Sequence, residues 1–127
     1  MVGTNVTVLL RSAVEDHEIT DPTSSYSSAL EEYSPASFDI IVIDGMERVR
    51  CAQLAPSRLR DDGIIIFDNS DRTEFKAGID HLHEQGFGRI DFYGGIAQLG
   101  IRSCTSVFSK FGTRWTNTNA PLICQGW

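Results

Sequence analysis

The sequence predicts an α/β domain: a mostly parallel, three-layer α/β/α sheet with an antiparallel pair of strands at one edge. Three observations carry this. Two runs, Phe38-Asp39-Ile40-Ile41-Val42-Ile43 and Ile64-Ile65-Ile66-Phe67, are nearly continuous apolar sequence, as strands buried on both faces are. Between the strand-like runs lie segments whose apolar residues recur at helical spacing. The last two runs, Arg89-Ile90-Asp91-Phe92-Tyr93 and Thr105-Ser106-Val107-Phe108-Ser109, are joined by too few residues for a helical crossover, so they pair antiparallel.

Taken in order, Val6-Thr7-Val8-Leu9-Leu10 is β-branched and apolar and reads as a first strand. A Pro- and Ser-rich loop follows. Tyr26, Ala29, Leu30 and Tyr33 then mark one face of a short helix that Pro35 stops. The run 38–43 ends in Asp44-Gly45, and a helix is expected over about 47–59, kinked or broken near Pro56. Asp61-Asp62-Gly63 reads as a turn, and the run 64–67 ends in Asp68-Asn69. Asp71-Arg72-Thr73-Glu74 has capping-box spacing, and Phe75, Ile79 and Leu82 form the buried stripe of the helix it opens. Gly86 closes that helix, where positive φ is wanted. Residues 94–100 read as a loop, and the polar stretch from Gly112, with Trp115 and Trp127, as a tail. The division is a domain over 1–111 and a tail over 112–127.

The chain has 127 residues, 11 Lys+Arg against 17 Asp+Glu, and a net charge of −6, with 41% hydrophobic and 22% charged residues. That is ordinary composition for one globular domain. The acidic balance argues against a nucleic-acid partner or an anionic membrane surface. No apolar run approaches a membrane span, and the first residues are not the basic start of a secretory signal, so a cytoplasmic protein is expected. Cys51, Cys104 and Cys124 are widely spaced and form no CxxC, so they read as reduced thiols, Cys51 as a packed core residue.

In open parallel sheets, ligands bind beyond the carboxyl ends of the strands. Asp44 ends one central run and Asp68-Asn69 the other, so neighbouring strands would bring them to one rim. Two carboxylates and an amide oxygen suit Mg²⁺ or Ca²⁺. One carboxylate could equally serve as a general base, and Asp44 is the candidate catalytic residue. The bland reading is that Asp, Asn and Gly form turns after strands and that Ser70 or Asp71 caps a helix.

Other constellations point to structure. Gly86-Phe87-Gly88 starts like a GxGxxG but follows a helix and precedes a strand, the reverse of a phosphate cradle. His81 and His83, two apart on a helix, face different ways and cannot share an ion. His17 lies in a polar loop without a nameable partner. The tryptophan tail is an interaction arm or a strap packed on its own domain.

Phe38-Asp-Ile-Ile-Val-Ile-Asp-Gly-Met-Glu-Arg-Val-Arg-Cys-Ala52, Leu59-Arg-Asp-Asp-Gly-Ile-Ile-Ile-Phe-Asp-Asn-Ser-Asp-Arg72 and the two later strands together resemble the C-terminal half of class I S-adenosylmethionine-dependent methyltransferases. The likeness runs from about Val6 to Lys110. It implies a truncated Rossmann-like, methyltransferase-like fold. In metal-dependent relatives such as catechol and caffeoyl-CoA O-methyltransferases, an Asp after the fourth strand and an Asp-Asn pair after the fifth hold a divalent ion. Those positions fall on Asp44, Asp68 and Asn69, so the resemblance implies Mg²⁺ here, orienting a substrate hydroxylate.

The family's Gly-rich cofactor turn and ribose-binding acid should precede Val6, where this sequence has five residues. The cofactor S-adenosylmethionine would therefore lack its main binding groups. Two functions follow: a methyltransferase-like protein whose cofactor half is supplied by a complementing chain or neighbouring subunit, or a non-catalytic oligomeric binding or assembly module on a retained half-fold. In the complete sheet the 38–43 strand has a neighbour that this chain lacks. The 6–10 run inserting beside it, or a homodimer, would repair that edge.

Overall fold

The structure, a computed structural model, describes residues 6–12, 24–96 and 99–110. A 3₁₀ segment, Ser27–Glu32, precedes strand β1 (Phe38–Ile43), helix α1 (Arg48–Arg58) and strand β2 (Leu59–Asp68). A 3₁₀ turn, Thr73–Phe75, leads into helix α2 (Lys76–Glu84), and strands β3 (Gly88–Ile96) and β4 (Ile101–Ser109) follow. The sheet order is β1-β2-β4-β3. Strands β1 and β2 are parallel, and β4 is antiparallel to both β2 and β3. Three strands therefore run one way, and β4 alone runs against them, inside the sheet. The chain is a small α/β domain on a mixed open sheet.

Both helices lie on one face. Ile41 and Ile43 of β1, Ile65 and Phe67 of β2 and Phe108 of β4 are buried beneath Val49, Ala52, Ala55, Ile79 and Leu82. The helices cross closely at Gly78, where a Cβ would stand 3.1 Å from that of Ala52. Full burial of each Leu, Ile or Phe contributes about 1.5–3 kcal/mol, so this face supplies most of the driving force.

The opposite face has no helix over it among the described residues. Ile40 and Val42 of β1 and Phe92 of β3 are 55%, 62% and 58% exposed there. The described residues thus form two layers, not the expected three. The alternation on β3 is inverted relative to a simple sheet. Apolar Ile90 and Phe92 face the open side, while Arg89 and Asp91, in register with core residues Phe108 and Ser106, face the helices.

Four local expectations are corrected. The 6–10 run forms no strand; Val6, Val8 and Leu10 are 71%, 87% and 93% exposed, because apolar β-propensity makes a strand only where a partner edge is met. Asp61-Asp62-Gly63 is not a turn but part of β2, as a bulge where the register shifts between the pairs Phe38–Leu59 and Ile40–Ile64. Gly63 fits this place because a Cβ would meet the Asp39 carbonyl at 2.8 Å. The capping box does not form: Asp71 Oδ1 instead accepts a hydrogen bond from the Cys104 amide at 3.2 Å, and the helix start has no side-chain cap. Much of the 94–100 loop is strand, since β3 continues to Ile96 and β4 begins at Ile101.

Helix α1 runs through Pro56 unbroken, without the bond that an N–H at this position would give the Ala52 carbonyl, and ends two residues later at Arg58. Gly86 closes α2 at φ 85°, as expected. His17, Cys124 and the tail residues 112–127 lie outside the described residues. Among the described residues no helix is long and apolar enough to cross a membrane.

Candidate functional site

Parallel pairing of β1 with β2 sets Ile43 beside Phe67, so the residues that follow each strand share one rim. Asp44, Asp68 and Asn69 are thereby brought together, and what they meet is the guanidinium of Arg48. Its Nη1 donates to the Asp68 carbonyl at 2.6 Å and to Asn69 Oδ1 at 2.9 Å. Nη2 donates to Asp44 Oδ1 at 3.2 Å, and Nε donates to the Gly45 carbonyl at 2.9 Å. The Asp68 carboxylate stands 4.0 Å from Nη1. The Arg48 side chain is only 13% exposed and lies 5.1 Å from the centroid of the Phe75 ring. A planar fork with five donors suits this divergent set of oxygens.

Two further groups of the site are engaged. Thr105 donates its hydroxyl to Asp68 Oδ1 at 2.5 Å, and Asn69 Nδ2 donates to the Ser103 hydroxyl at 2.8 Å. Asn69 itself sits at φ 55°, a left-handed position that Asn tolerates. As a divalent-ion site the set does not fit: its oxygens converge on a resident cation, and an ion here would stand beside a guanidinium of like charge. Among the described residues no group of three or more His, Cys, Asp or Glu side chains is placed to hold a metal. Among the described residues the positive-φ glycines are Gly86 and Gly100, which lie at a helix end and in the β3–β4 connection and not in a strand-to-helix turn.

Arg48 was accessible to sequence reasoning. Asp44 and Arg48 stand four apart across a helix start, the spacing at which opposite charges meet.

Beside the outer edge of β1 runs a cleft of about 360 Å³, bounded by Ile41, Val42 and Ile43 on one side and Tyr26 and Leu30 on the other. Tyr26 reaches over the turn after β1, where its hydroxyl accepts from the Met46 amide at 3.3 Å. Glu47 follows at φ 49°, its side chain buried and accepting from the Ser24 hydroxyl at 2.5 Å. Cys51 borders the same cleft. Burial first, and Glu47 second, push its thiol up to about 11, so it is no nucleophile at neutral pH.

A second polar cluster was not legible. Ser106 shares a hydrogen bond with Ser70 at 2.5 Å and donates to Asp91 Oδ1 at 2.5 Å, and Arg89 Nε reaches both Asp91 and Ser106. Its members come from β3, β4 and the turn after β2, so no local spacing announces it. Largely buried and mutually hydrogen-bonded, it ties β3 to β4 and to the turn after β2. His83 lies against Phe108, ring centroids 5.8 Å apart, with its pKa lowered by burial and then by Arg89.

No protein-family model, curated protein or solved structure matches the chain.

Proposed function

We propose that this chain is a non-catalytic assembly module built on a methyltransferase-like half-fold, which pairs with a second copy along the outer edge of β1. The observation that carries the reading is the state of the rim. Asp44, Asp68 and Asn69 meet where the resemblance puts them, but Arg48 ties them together as a structural clamp. The direction of the strands supports the methyltransferase-like part, with three strands running alike.

The pairing surface follows from β1. Among the described residues its outer edge has no strand beside it, and the flanking cleft gives a further strand room. The sequence of β1 is self-complementary. A two-fold antiparallel pairing centred on Ile41 sets each exposed Ile40 opposite the exposed Val42 of the second copy, an apolar cross-strand pair.

Two measurements test this. Titration calorimetry with S-adenosylmethionine should give no heat at millimolar cofactor; saturable binding would restore the enzyme reading. Light scattering after gel filtration at micromolar concentration should return twice the 14.1 kDa of the chain. A monodisperse species at the single-chain mass would end the pairing proposal.

A further inference from the structure

On the open face of the sheet, the ends of β2, β4 and β3 nearest the β3–β4 connection form a slot. Asp68, Thr105 and Phe92 stand in register across the three strands, and Ser103 and Gly94 make the next row on the same face. The floor is low. It consists of Thr105, Ser103 and Gly94, and a Cβ on Gly94 would meet nothing within 4 Å. The walls are the Phe92 side chain, 58% exposed, and the Asp68 carboxylate. Two strand spacings, about 10 Å, separate the walls at the backbone. The cleft between them has a volume of about 360 Å³, at the small end for small-molecule sites.

The polar atoms lining this slot have hydrogen-bonding capacity left. Asp68 Oδ1 accepts from the Thr105 hydroxyl at 2.5 Å, while a carboxylate has room for about four such bonds. Among the described residues Oδ2 accepts none, and Nη1 of Arg48 stands 4.0 Å from it, beyond hydrogen-bond length. Ser103 Oγ accepts from Asn69 Nδ2 at 2.8 Å and keeps its own proton for an acceptor. Charge narrows the class further. An anion would meet the Asp68 carboxylate on a chain of net charge −6, and a cation on Oδ2 would stand beside the Arg48 guanidinium. An uncharged ligand meets neither penalty. The exposed ring of Phe92 offers a stacking surface to a flat molecule, and the small side chains of the floor let such a molecule lie close to the strands.

We infer that this slot binds an uncharged planar heterocycle with adjacent N–H donors, the class to which a guanine base belongs. Its ring stacks on Phe92, its N–H edge donates to the Asp68 carboxylate, and Ser103 donates to a ring carbonyl. The volume suits a base or nucleoside, and the acidic surroundings disfavour a phosphorylated one.

The test is a titration of the ¹⁵N-labelled chain with guanosine. The Gly94, Ser103 and Thr105 amide signals should shift saturably at millimolar ligand. Inosine lacks the exocyclic amine and should bind about tenfold more weakly, through loss of a charge-assisted hydrogen bond. Guanosine monophosphate should also bind more weakly than guanosine, and added salt should narrow that gap. Asp68→Asn keeps the backbone carbonyl that Arg48 holds, and should abolish the preference for guanosine over inosine. Phe92→Leu should weaken both nucleosides about tenfold with far-UV circular dichroism unchanged. If Asp68→Asn does not fold, Phe92→Leu and the inosine comparison decide. Absence of saturable shifts at these amides overturns the inference. So do equal affinities for guanosine and inosine, tighter binding of the monophosphate, and binding that Phe92→Leu leaves unchanged. The slot shares no residue with the outer edge of β1, so this site and the β1 pairing stand or fall separately.

Discussion

Arg48→Met removes the guanidinium at the rim and keeps an unbranched side chain of similar reach. The bonds lost are those to the Asp68 carbonyl, Asn69 Oδ1 and the Gly45 carbonyl, with the stacking over Phe75. A hydrogen bond to a charged group is worth about 1.5–3 kcal/mol net, and the cation–π contact about 0.5–2 kcal/mol. The Asp44 pair adds little, because that carboxylate is 61% exposed. Water can reach the Gly45 end, and such terms do not add fully, so the loss should be about 3 kcal/mol. With a urea m-value of about 2 kcal/mol/M, the midpoint falls by about 1.5 M. Arg48→Lys keeps the charge without the fork and should lie between the two proteins. The same substitution opens the carboxylates to cations, so Mn²⁺ should broaden the Asp44 and Asn69 amide signals more in Arg48→Met than in the parent chain. A midpoint shift under about 0.3 M would refute the clamp as a stabilising device. Mn²⁺ broadening as strong in the parent would refute Arg48 as the resident cation.

Gly45→Ala places a Cβ 1.9 Å from the Tyr26 hydroxyl, which must swing away from the Met46 amide. The expected cost is about 1–2 kcal/mol by chemical unfolding, and most of it should vanish in a Tyr26→Ala background. Cys51, with its thiol near 11, should be alkylated by iodoacetamide at pH 8 orders of magnitude more slowly in the folded chain than in urea. His83 has a folded pKa below its ordinary 6.5, so the unfolded chain binds its proton first. Stability should therefore fall as pH drops through 6.5 toward the folded value, and His83→Gln should flatten thermal unfolding midpoints across that window.

What the sequence revealed was the part that local pattern determines. Continuous apolar runs located β1 and the centre of β2, the 75/79/82 stripe located α2, and the short last connection required an antiparallel pair. Where a residue's role depends on a distant partner, local pattern misled. Asp71 had the right spacing for a cap, but the Cys104 amide from β4 took it. Asp61-Asp62-Gly63 had turn composition, but pairing with β1 drew it into a strand as a bulge. The 6–10 run had strand composition, yet it pairs with neither edge of the described sheet. The candidate site behaved likewise: strand ends predicted that Asp44, Asp68 and Asn69 would share a rim, and they do. What fills the space between them was missed, although the Asp44–Arg48 spacing signalled it. The Ser70–Ser106–Arg89–Asp91 cluster joins three segments across the sheet and had no local signature.

The position of β4 constrains the order in which this protein assembles. Among the described strands, β3 pairs with β4 alone, so it does not join the sheet by pairing with a described strand that precedes it. It must first fold back on β4, a local hairpin that forms in about 1–10 μs. Only then can the pair zip onto β2, a step that brings Ile64 to Ser109 across a long stretch of chain and is correspondingly slow. Two cooperative units follow: β1, α1 and β2 as one, and the β3–β4 hairpin as the other, with α2 bridging them. Amide exchange in β3 and β4 should then share a single opening free energy, because loosening the β2–β4 ladder frees both strands at once.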